Sequence, residues 1–291
     1  MSVTKKKELV ADYLKTSKVA VEGLLEAVQL SLNAWYYKPK VVACDKLEVK
    51  AKIEKVLEDY SYYGYKRVTK ELKRRNTIIN HKRIYKIMGE YYLVQPKKLR
   101  FAPKTTNSNH KLIIYPNEIK HLGKVIPGWV WVSDITYIPV GNRWAYLALI
   151  MDQGSRKIVG WCLRYSMDVS LCLDALNMAL KFNLPPKYHH SDKGSQYCAY
   201  IYIGVLTVNK ITPSMADVGM SVDNPYAESL NRSVKVEEVH RNVYPDLPSA
   251  IQNIGAWIDN YNHKRLHSSL GYIPPVEYLE NYQKNQLQLE N

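Results

Sequence analysis

Three carboxylates in the second half of this chain have the types and spacing for phosphodiester chemistry. Asp134 lies in WVWVSDITYIPV, Asp192 in YHHSDKGSQY and Glu228 in DNPYAESLNRSVKVEE. The two aspartates are 58 positions apart and 35 residues lie between Asp192 and Glu228, so only tertiary folding can bring the three together. Hard oxygen ligands suit Mg²⁺, with Mn²⁺ able to substitute, because such ions keep several waters and need few protein carboxylates. Two ions about 4 Å apart can activate an attacking oxygen and stabilise a leaving one in an in-line displacement. Lys235, seven residues after Glu228, falls near the same helical face, where a cation could hold a DNA backbone. The same residues also permit plainer roles. An isolated Asp in a strand often serves an edge or turn, and Asp223-Asn224-Pro225 has the form of a helix N-cap. Asp152 competes as a carboxylate, but its place ahead of Gly154-Ser155 favours a turn.

The elements that must position these residues show in the hydrophobic periodicity. In VWVSDITYI the side chains alternate, with Val130, Val132, Asp134, Thr136 and Ile138 on one strand face and Trp131, Ile135 and Tyr137 on the other. Gly141-Asn142 turns the chain into RWAYLALIMD, and Gly154-Ser155 turns it into KIVGWCLRY, giving a three-stranded antiparallel meander. An amphipathic helix over Ser170–Phe182 follows, with Leu171, Ala175, Met178, Ala179 and Phe182 as its apolar stripe. A short strand then leads to Asp192, a helix covers roughly Ser195–Leu206, a strand runs to Ile211, and a helix from near Asp223 carries Glu228. The order βββαβαβα is a mixed sheet with flanking helices, not a doubly wound fold.

Ahead of that core the chain is helical and basic. Residues through 122 carry 26 Lys and Arg against 12 Asp and Glu, whereas the rest carries 15 of each, so the net charge of +14 sits in the first part. That asymmetry suits a polyanion-binding module joined to a neutral core, although a solvated Lys-rich surface has the same composition. Residues 5–37 read as three short helices, with Leu9, Val10, Tyr13 and Leu14 at helical spacing and Ser31 capping the last. A second block places Leu47, Ile53, Val56 and Leu57 on one helix, turns at Gly64, and continues into VTKELKRRN and HKRIYKIMGEY. Lys66, Arg67, Lys73, Arg74, Lys82, Arg83 and Lys86 give it the charge that neutralises phosphates. Tyr62, Tyr63 and Tyr65 fit core and backbone contacts better than base reading. The domains expected are a helical region over 1–42, a basic helix-turn-helix domain over 43–94, a linker over 95–122 with an extended piece at Leu112–Tyr115, and a catalytic core over 123–291. Cys44, Cys162, Cys172 and Cys198 have no zinc-like spacing, and no apolar run is long enough for a membrane span, so a cytoplasmic protein is expected.

Together these motifs make the chain resemble the longer, OrfB-type transposase of bacterial insertion sequences, whose catalytic core is similar to that of retroviral integrases. YGYKRVTKEL with NHKRIYKIMGEY resembles the family's helix-turn-helix, WVSDITYI the first-strand motif and YLALIMDQGSRKIVGW the hairpin after it. HHSDKGSQY resembles the second-aspartate motif, PSMADVGMSVDNPYAES the glutamate motif with its 35-residue spacing, and YNHKRLHSSLGYIPPVEY the closing signature. The resemblance implies a ribonuclease-H-like α/β fold, a mixed five-stranded sheet with flanking helices preceded by all-α helix-turn-helix modules. It implies catalytic and metal-binding roles for Asp134, Asp192 and Glu228 with two Mg²⁺ ions, and DNA contact by Lys235. It suggests that Asn262, Arg265 and His267 contact DNA or pack the C-terminal helix, and that His189 and His190 orient Asp192 or line the site. The implied activity is binding of terminal inverted repeats, cleavage to a 3′-hydroxyl, and direct transesterification into target DNA by a homo-oligomer near the bacterial nucleoid. An upstream OrfA-type product, separate or fused, is a further implied partner. The loop Ala216-Asp217-Val218 lacks the basic residues frequent in relatives, and Pro225-Tyr226 replaces smaller and apolar ones. A DNA-binding protein without catalysis and a nuclease acting on RNA–DNA hybrids are the competing readings.

Overall fold

The computed structural model describes residues 3–16, 20–36, 45–93, 112–216 and 224–289. They fall into two compact units, Met1–Lys52 and Ile53–Asn291. The first holds α1 (Val3–Thr16), α2 (Val21–Ala27) and α3 (Leu32–Tyr36), and α4 (Asp45–Asp59) runs across the division. Val10, Leu25 and Leu30 form the small core of the first unit, with Leu14, Leu24 and Trp35 packed against it. Leu9 and Tyr13 of the expected stripe are instead half exposed (51% each), because α1 buries a narrower face than its sequence offers. Ser31 caps α3 as expected, its Oγ accepting from the Ala34 amide at 3.2 Å. The expected boundary near residue 42, the end of α3 at Tyr37, and residues 95–111 of the linker lie outside the described residues.

In the second unit, α5 (Tyr65–Arg74) and α6 (His81–Glu90) bury Val68, Leu72, Ile84, Ile87 and Met88. Asn80 starts α6 by accepting from the Lys82 amide at 2.9 Å. On α4 the buried positions are Val49, Ile53 and Val56, while Leu47 is 68% exposed. The apolar stripe of α4 therefore passes through Val49 and not through Leu47.

The core is the expected mixed sheet. It contains β1 (Val130–Val140), β2 (Arg143–Asp152), β3 (Ile158–Arg164), β4 (Tyr188–Ser191) and β5 (Thr212–Met215), in the order β3-β2-β1-β4-β5. β1, β2 and β3 pair antiparallel, while β4 lies parallel to β1 and β5 parallel to β4. The period-two pattern of β1 feeds both faces: Val130, Val132 and Ile138 enter one cluster, Trp131 and Ile135 the other. The first face is covered by α10 (Pro225–Val234) and α11 (Leu247–His263), through Ala227, Leu230, Ile254 and Trp257. The second is covered by α7 (Val169–Phe182), α8 (Ser195–Cys198) and α9 (Tyr200–Val208). α12 (Pro275–Leu289) closes the described chain.

Three boundaries differ from the sequence pattern. α7 buries Leu171, Cys172, Ala175, Leu176 and Ala179, and Phe182 at its end is 71% exposed. The stripe is turned toward Cys172 and Leu176 because α7 sits tightly on β3 at Gly160. The helix expected over Ser195–Leu206 breaks into α8 and α9 at Ala199, whose backbone is extended. Ile211 precedes β5 instead of ending it. A Cβ built at Gly160 would stand 2.1 Å from the Ala175 carbonyl oxygen and 2.9 Å from the Ala179 Cβ. Gly160→Ala must push α7 off the sheet, and overpacking of this kind costs roughly 1–3 kcal/mol or more. A urea titration is expected to show that loss. Unchanged stability would mean that α7 is not held this close.

Candidate active site

Asp134 and Asp192 meet through strand pairing. Val130 stands opposite Tyr188, Trp131 opposite His189 and Val132 opposite His190, an offset of 58 positions. That offset equals the separation of the two aspartates, so continuing it two residues sets Asp134 beside Asp192, one residue past the end of β4. Both then project on the face of Val130 and Val132, the face that α10 covers. Asp192 Oδ1 accepts from the Gly194 amide at 3.0 Å, which ties the carboxylate to the turn that follows its strand.

α10 is fastened over this pair by two asparagines on either side of Glu228. Asn224, at the helix start, donates from Nδ2 to the Ser133 carbonyl at 3.0 Å. Asn231, three residues after Glu228, donates from Nδ2 to Asp134 Oδ2 at 2.8 Å. Asp134 Oδ1 accepts from the Ile135 amide at 2.8 Å, so each oxygen already has one donor. A charged acceptor makes the Asn231 contact one of the stronger hydrogen bonds. Glu228 itself is exposed, in the first turn of α10. The expected N-cap Asp223 lies outside the described residues, as do Asp217 and Val218 of the preceding loop.

The electrostatics record how close these groups are. Burial, then the negative charge of Asp192 and more weakly that of Glu228, push the Asp134 carboxyl up to about 7, against the Ile135 and Asn231 hydrogen bonds that lower it. Lys235 opens a π-helical turn, Lys235–Val239, that continues α10. Burial lowers its pKa while the Asp134 charge opposes that, and its ammonium sits 3.9 Å from the centroid of the Tyr137 ring. Lys235 therefore lies beside the carboxylates, where the sequence put it. The oxygen-only donor set of Asp134, Asp192 and Glu228 suits a hard divalent cation that keeps most of its waters. Among the described residues no three His, Cys, Asp or Glu side chains are gathered as a ready metal-binding group.

The other expected site residues divide into exposed and interior ones. Lys66, Lys73, Lys82 and Lys86 are exposed on α5 and α6, and Arg83 is half-buried. Arg74 is exposed but paired with Glu277 at 2.9 Å. Arg67 is half-buried, 3.5 Å from Glu237. Arg265 is 3% exposed and grips both oxygens of Glu237 at 2.6 Å, which is the packing role left open for it in the sequence. Burial and the charges of Arg265, Arg156 and Arg67 lower the His267 pKa to about 3, and its Nδ1 lies 2.9 Å from Ser269 Oγ. Asn262 bonds the backbone of Ile158 with both its oxygen and its nitrogen at 2.9 Å, fastening α11 to β3. His189 is buried against the Tyr202 hydroxyl at 3.0 Å and His190 against Ser214 Oγ at 2.9 Å. Asp152 is a turn residue as expected, accepting from the Gly128 and Ser155 amides at 3.0 and 2.9 Å.

Sequence reasoning missed Asn231 and Glu237. Asn231 was within reach: it stands three residues after Glu228 and four before Lys235, on the helical face they share. Glu237 gave no signal, because its partners Arg67 and Arg265 are far away in sequence and meet it only in the fold.

Two family models described as "Integrase core domain" match residues 124–221 and 209–275, and one described as "HTH-like domain" matches residues 45–101. The Shigella sonnei protein called "Insertion element IS600 uncharacterized 31 kDa protein" is 35% identical over 81% of this chain and 87% of its own length. The transposase for insertion sequence element IS629, also of Shigella sonnei, is 32% identical over 79% of this chain and 78% of its own. Transposase InsF for IS3A of Escherichia coli strain K12 is 30% identical over 74% and 76%. Among solved structures, the HTLV-2 integrase catalytic core domain in complex with magnesium aligns at a TM-score of 0.42 and 16% identity, over 50% of this chain and 92% of that one. The chain belongs to the insertion-sequence transposases of the OrfB type, with an integrase core domain behind a helix-turn-helix-like one.

Proposed function

We propose that this transposase binds the ends of its element, cleaves them to 3′-hydroxyls and joins these to target DNA by transesterification at Asp134, Asp192 and Glu228. The observation that carries this reading is the register that sets Asp134 beside Asp192 under α10, with Asn231 of that helix bonded to Asp134. Like-charged carboxylates placed side by side on one sheet face cost stability, which is typical of sites arranged for function. Asp134 and Asp192 would hold a divalent cation such as Mg²⁺, with Glu228 reaching in from the helix. Bound there, the cation would supply activation of the attacking oxygen and stabilisation of the leaving one. The protein's own contribution is position: β1 and the end of β4 fix the aspartates, and Asn224 and Asn231 fix the helix above them. Lys235, half-buried beside Asp134, offers a cation to the phosphate being attacked. Lys66, Lys73, Lys82 and Lys86 on α5 and α6 supply charge toward duplex DNA, and neutralising phosphates makes that binding strongly salt-dependent. The domain division, the oligomer formed on DNA and any upstream OrfA-type partner belong to the same proposal.

The test is cleavage and joining of labelled element-end DNA with Mg²⁺, by wild type and by Glu228→Gln. Gln keeps the shape and removes the charge from an exposed side chain, so folding is unaffected. Products from wild type alone are expected, and equal activity in both would remove Glu228 from the site. DNA binding without products from either protein would favour the reading of a binding protein or a missing upstream partner.

A further inference from the structure

The turn between β2 and β3 carries two local irregularities at one residue. Arg156 adopts a left-handed backbone (φ +63°) without being glycine, and its half-buried side chain has Nε and Nη1 buried without a hydrogen-bond partner. The guanidinium meets instead the Tyr226 ring, 3.9 Å from the ring centroid. A non-glycine residue in that region and buried donors left unpaired both cost stability. Costs of this kind gather where a side chain is held for function.

The turn itself is firmly built. The Asp152 carbonyl accepts from the Arg156 amide at 2.8 Å, and the Asp152 amide donates to the Lys157 carbonyl at 2.8 Å. The Asp152 carboxylate accepts from the Ser155 and Gly128 amides at 2.9 and 3.0 Å. A Cβ at Gly154 would stand 2.3 Å from the Pro127 nitrogen, so the turn is wedged against the chain that enters β1. Arg156 therefore reaches Tyr226 from a fixed base. A cation over an aromatic ring is held more strongly where water is excluded, and Nε and Nη1 are both buried here.

Tyr226 lies in the first turn of α10, two residues before Glu228. The helix rests on the core through Ala227, Leu230 and Val234. Asn224 and Asn231, seven residues apart, lie on one flank of that buried stripe and tie it to β1 through the Ser133 carbonyl and Asp134. At 3.6 residues per turn Tyr226 is roughly 200° around the helix from Asn224, on the other flank. Two ties in line leave a helix free to roll about them, and a contact on the far flank stops the roll. We propose that Arg156 is a positioning residue: held on Tyr226, it fixes the rotation of the first turn of α10 and so keeps Glu228 directed toward Asp134 and Asp192. This rests on the transposase reading above.

The experiment reads the helix and the chemistry separately. Amide hydrogen exchange of the full chain, without divalent metal, follows α10, where bonding begins with the Glu228 amide donating to the Asn224 carbonyl at 3.2 Å. Arg156→Gln is expected to speed exchange in α10 by about tenfold and to leave β1 and β2 unchanged. With labelled element-end DNA and Mg²⁺, the same variant should slow single-turnover cleavage at saturating DNA by about thirtyfold. The DNA concentration for half-maximal rate should stay within about twofold of wild type. Arg156→Lys, which returns the cation, should recover much of both signals, and Tyr226→Phe, which keeps the ring, should lose little of either. Unchanged exchange in Arg156→Gln overturns the clamp, whatever the cleavage assay gives. Faster exchange in α10 with wild-type cleavage overturns the positioning role and leaves a purely structural contact. Equally faster exchange across β1 and β2 would likewise overturn it, since that marks a general loss of stability. Faster exchange confined to α10, in a protein whose wild type does not cleave, overturns the transposase reading and the role toward Glu228 with it.

Discussion

Asp134→Asn is expected to reduce strand cleavage and joining by at least about a thousandfold, equivalent to roughly 4 kcal/mol of transition-state stabilisation. The substitution removes one charge from the register-paired aspartates and alters little else. Asp134 Oδ1 accepts from the Ile135 amide and Oδ2 from Asn231 Nδ2. The new amide keeps one acceptor for Ile135 and presents a donor toward Asn231. Asn231 can meet it, because its own Oδ1 is buried without a hydrogen-bond partner, and a half-turn of its amide brings that oxygen round. Relief of repulsion with Asp192 acts in the same direction, so the thermal midpoint should equal or exceed that of wild type. Loss of activity with retained or raised stability separates a catalytic carboxylate from a structural one. Activity within tenfold of wild type would show that Asp134 is not a reacting-site ligand, and collapse of the fold would show that it is structural.

The second large effect is predicted at Glu237. Its side chain is 6% exposed, that of Arg265 is 4% exposed, and the two are joined at 2.6 Å. Arg67 approaches the same carboxylate at 3.5 Å. Glu237→Leu leaves Arg265 charged and buried without its partner, and breaking a buried pair from one side costs about 3–5 kcal/mol. Replacing both partners by apolar residues of similar volume, as in Glu237→Leu with Arg265→Met, should recover most of that loss. Chemical denaturation of the two single variants and the double variant measures the coupling directly. A single variant within about 1 kcal/mol of wild type would show that the pair carries no such energy. The same series bears on the expectation that Arg265 contacts DNA. A double variant that folds well and still binds element ends would confine Arg265 to packing.

Local patterns in the sequence were reliable where one periodicity dominated. β1 packs into the core on both faces, and its alternation exposed the strand, its two faces and the placement of Asp134. β2 and β3 followed from Gly141-Asn142 and Gly154-Ser155, the turn signals that divide a long apolar run. The amphipathic character of α7 was equally plain, but its buried direction was not. Gly160 lets the backbone of β3 approach Ala175 and Ala179, and that close contact turns Leu176 inward and leaves Phe182 outside. Such a rotation depends on a partner more than ten residues away, which periodicity within the helix cannot register. The pairing of Asp134 with Asp192 was present as a number, 58, whose meaning appears only once β4 is known to lie parallel to β1. Arg67 and Arg265 show the opposite limit. In composition an arginine that faces phosphate and one that is buried against a carboxylate look alike, and only the fold separates them.

The continuous run from α10 into its π-helical turn has a consequence for how such proteins can be recombined. Glu228 lies near the start of that run and Glu237 near its end. Glu237 meets Arg67 of α5, and Glu277 of α12 meets Arg74 of the same helix. Tyr63, just before α5, accepts from the Leu266 amide at 2.9 Å. α5 and the residues just before it are thus keyed to the core by contacts scattered across some two hundred residues of sequence. A graft that exchanged only residues 45–93 for those of a relative would carry foreign teeth into this lock. A stable chimera has to transplant Glu237, Arg265 and Glu277 with α5 and α6, so the exchangeable unit is larger than the helix-turn-helix-like domain and includes the π-helical turn that continues α10.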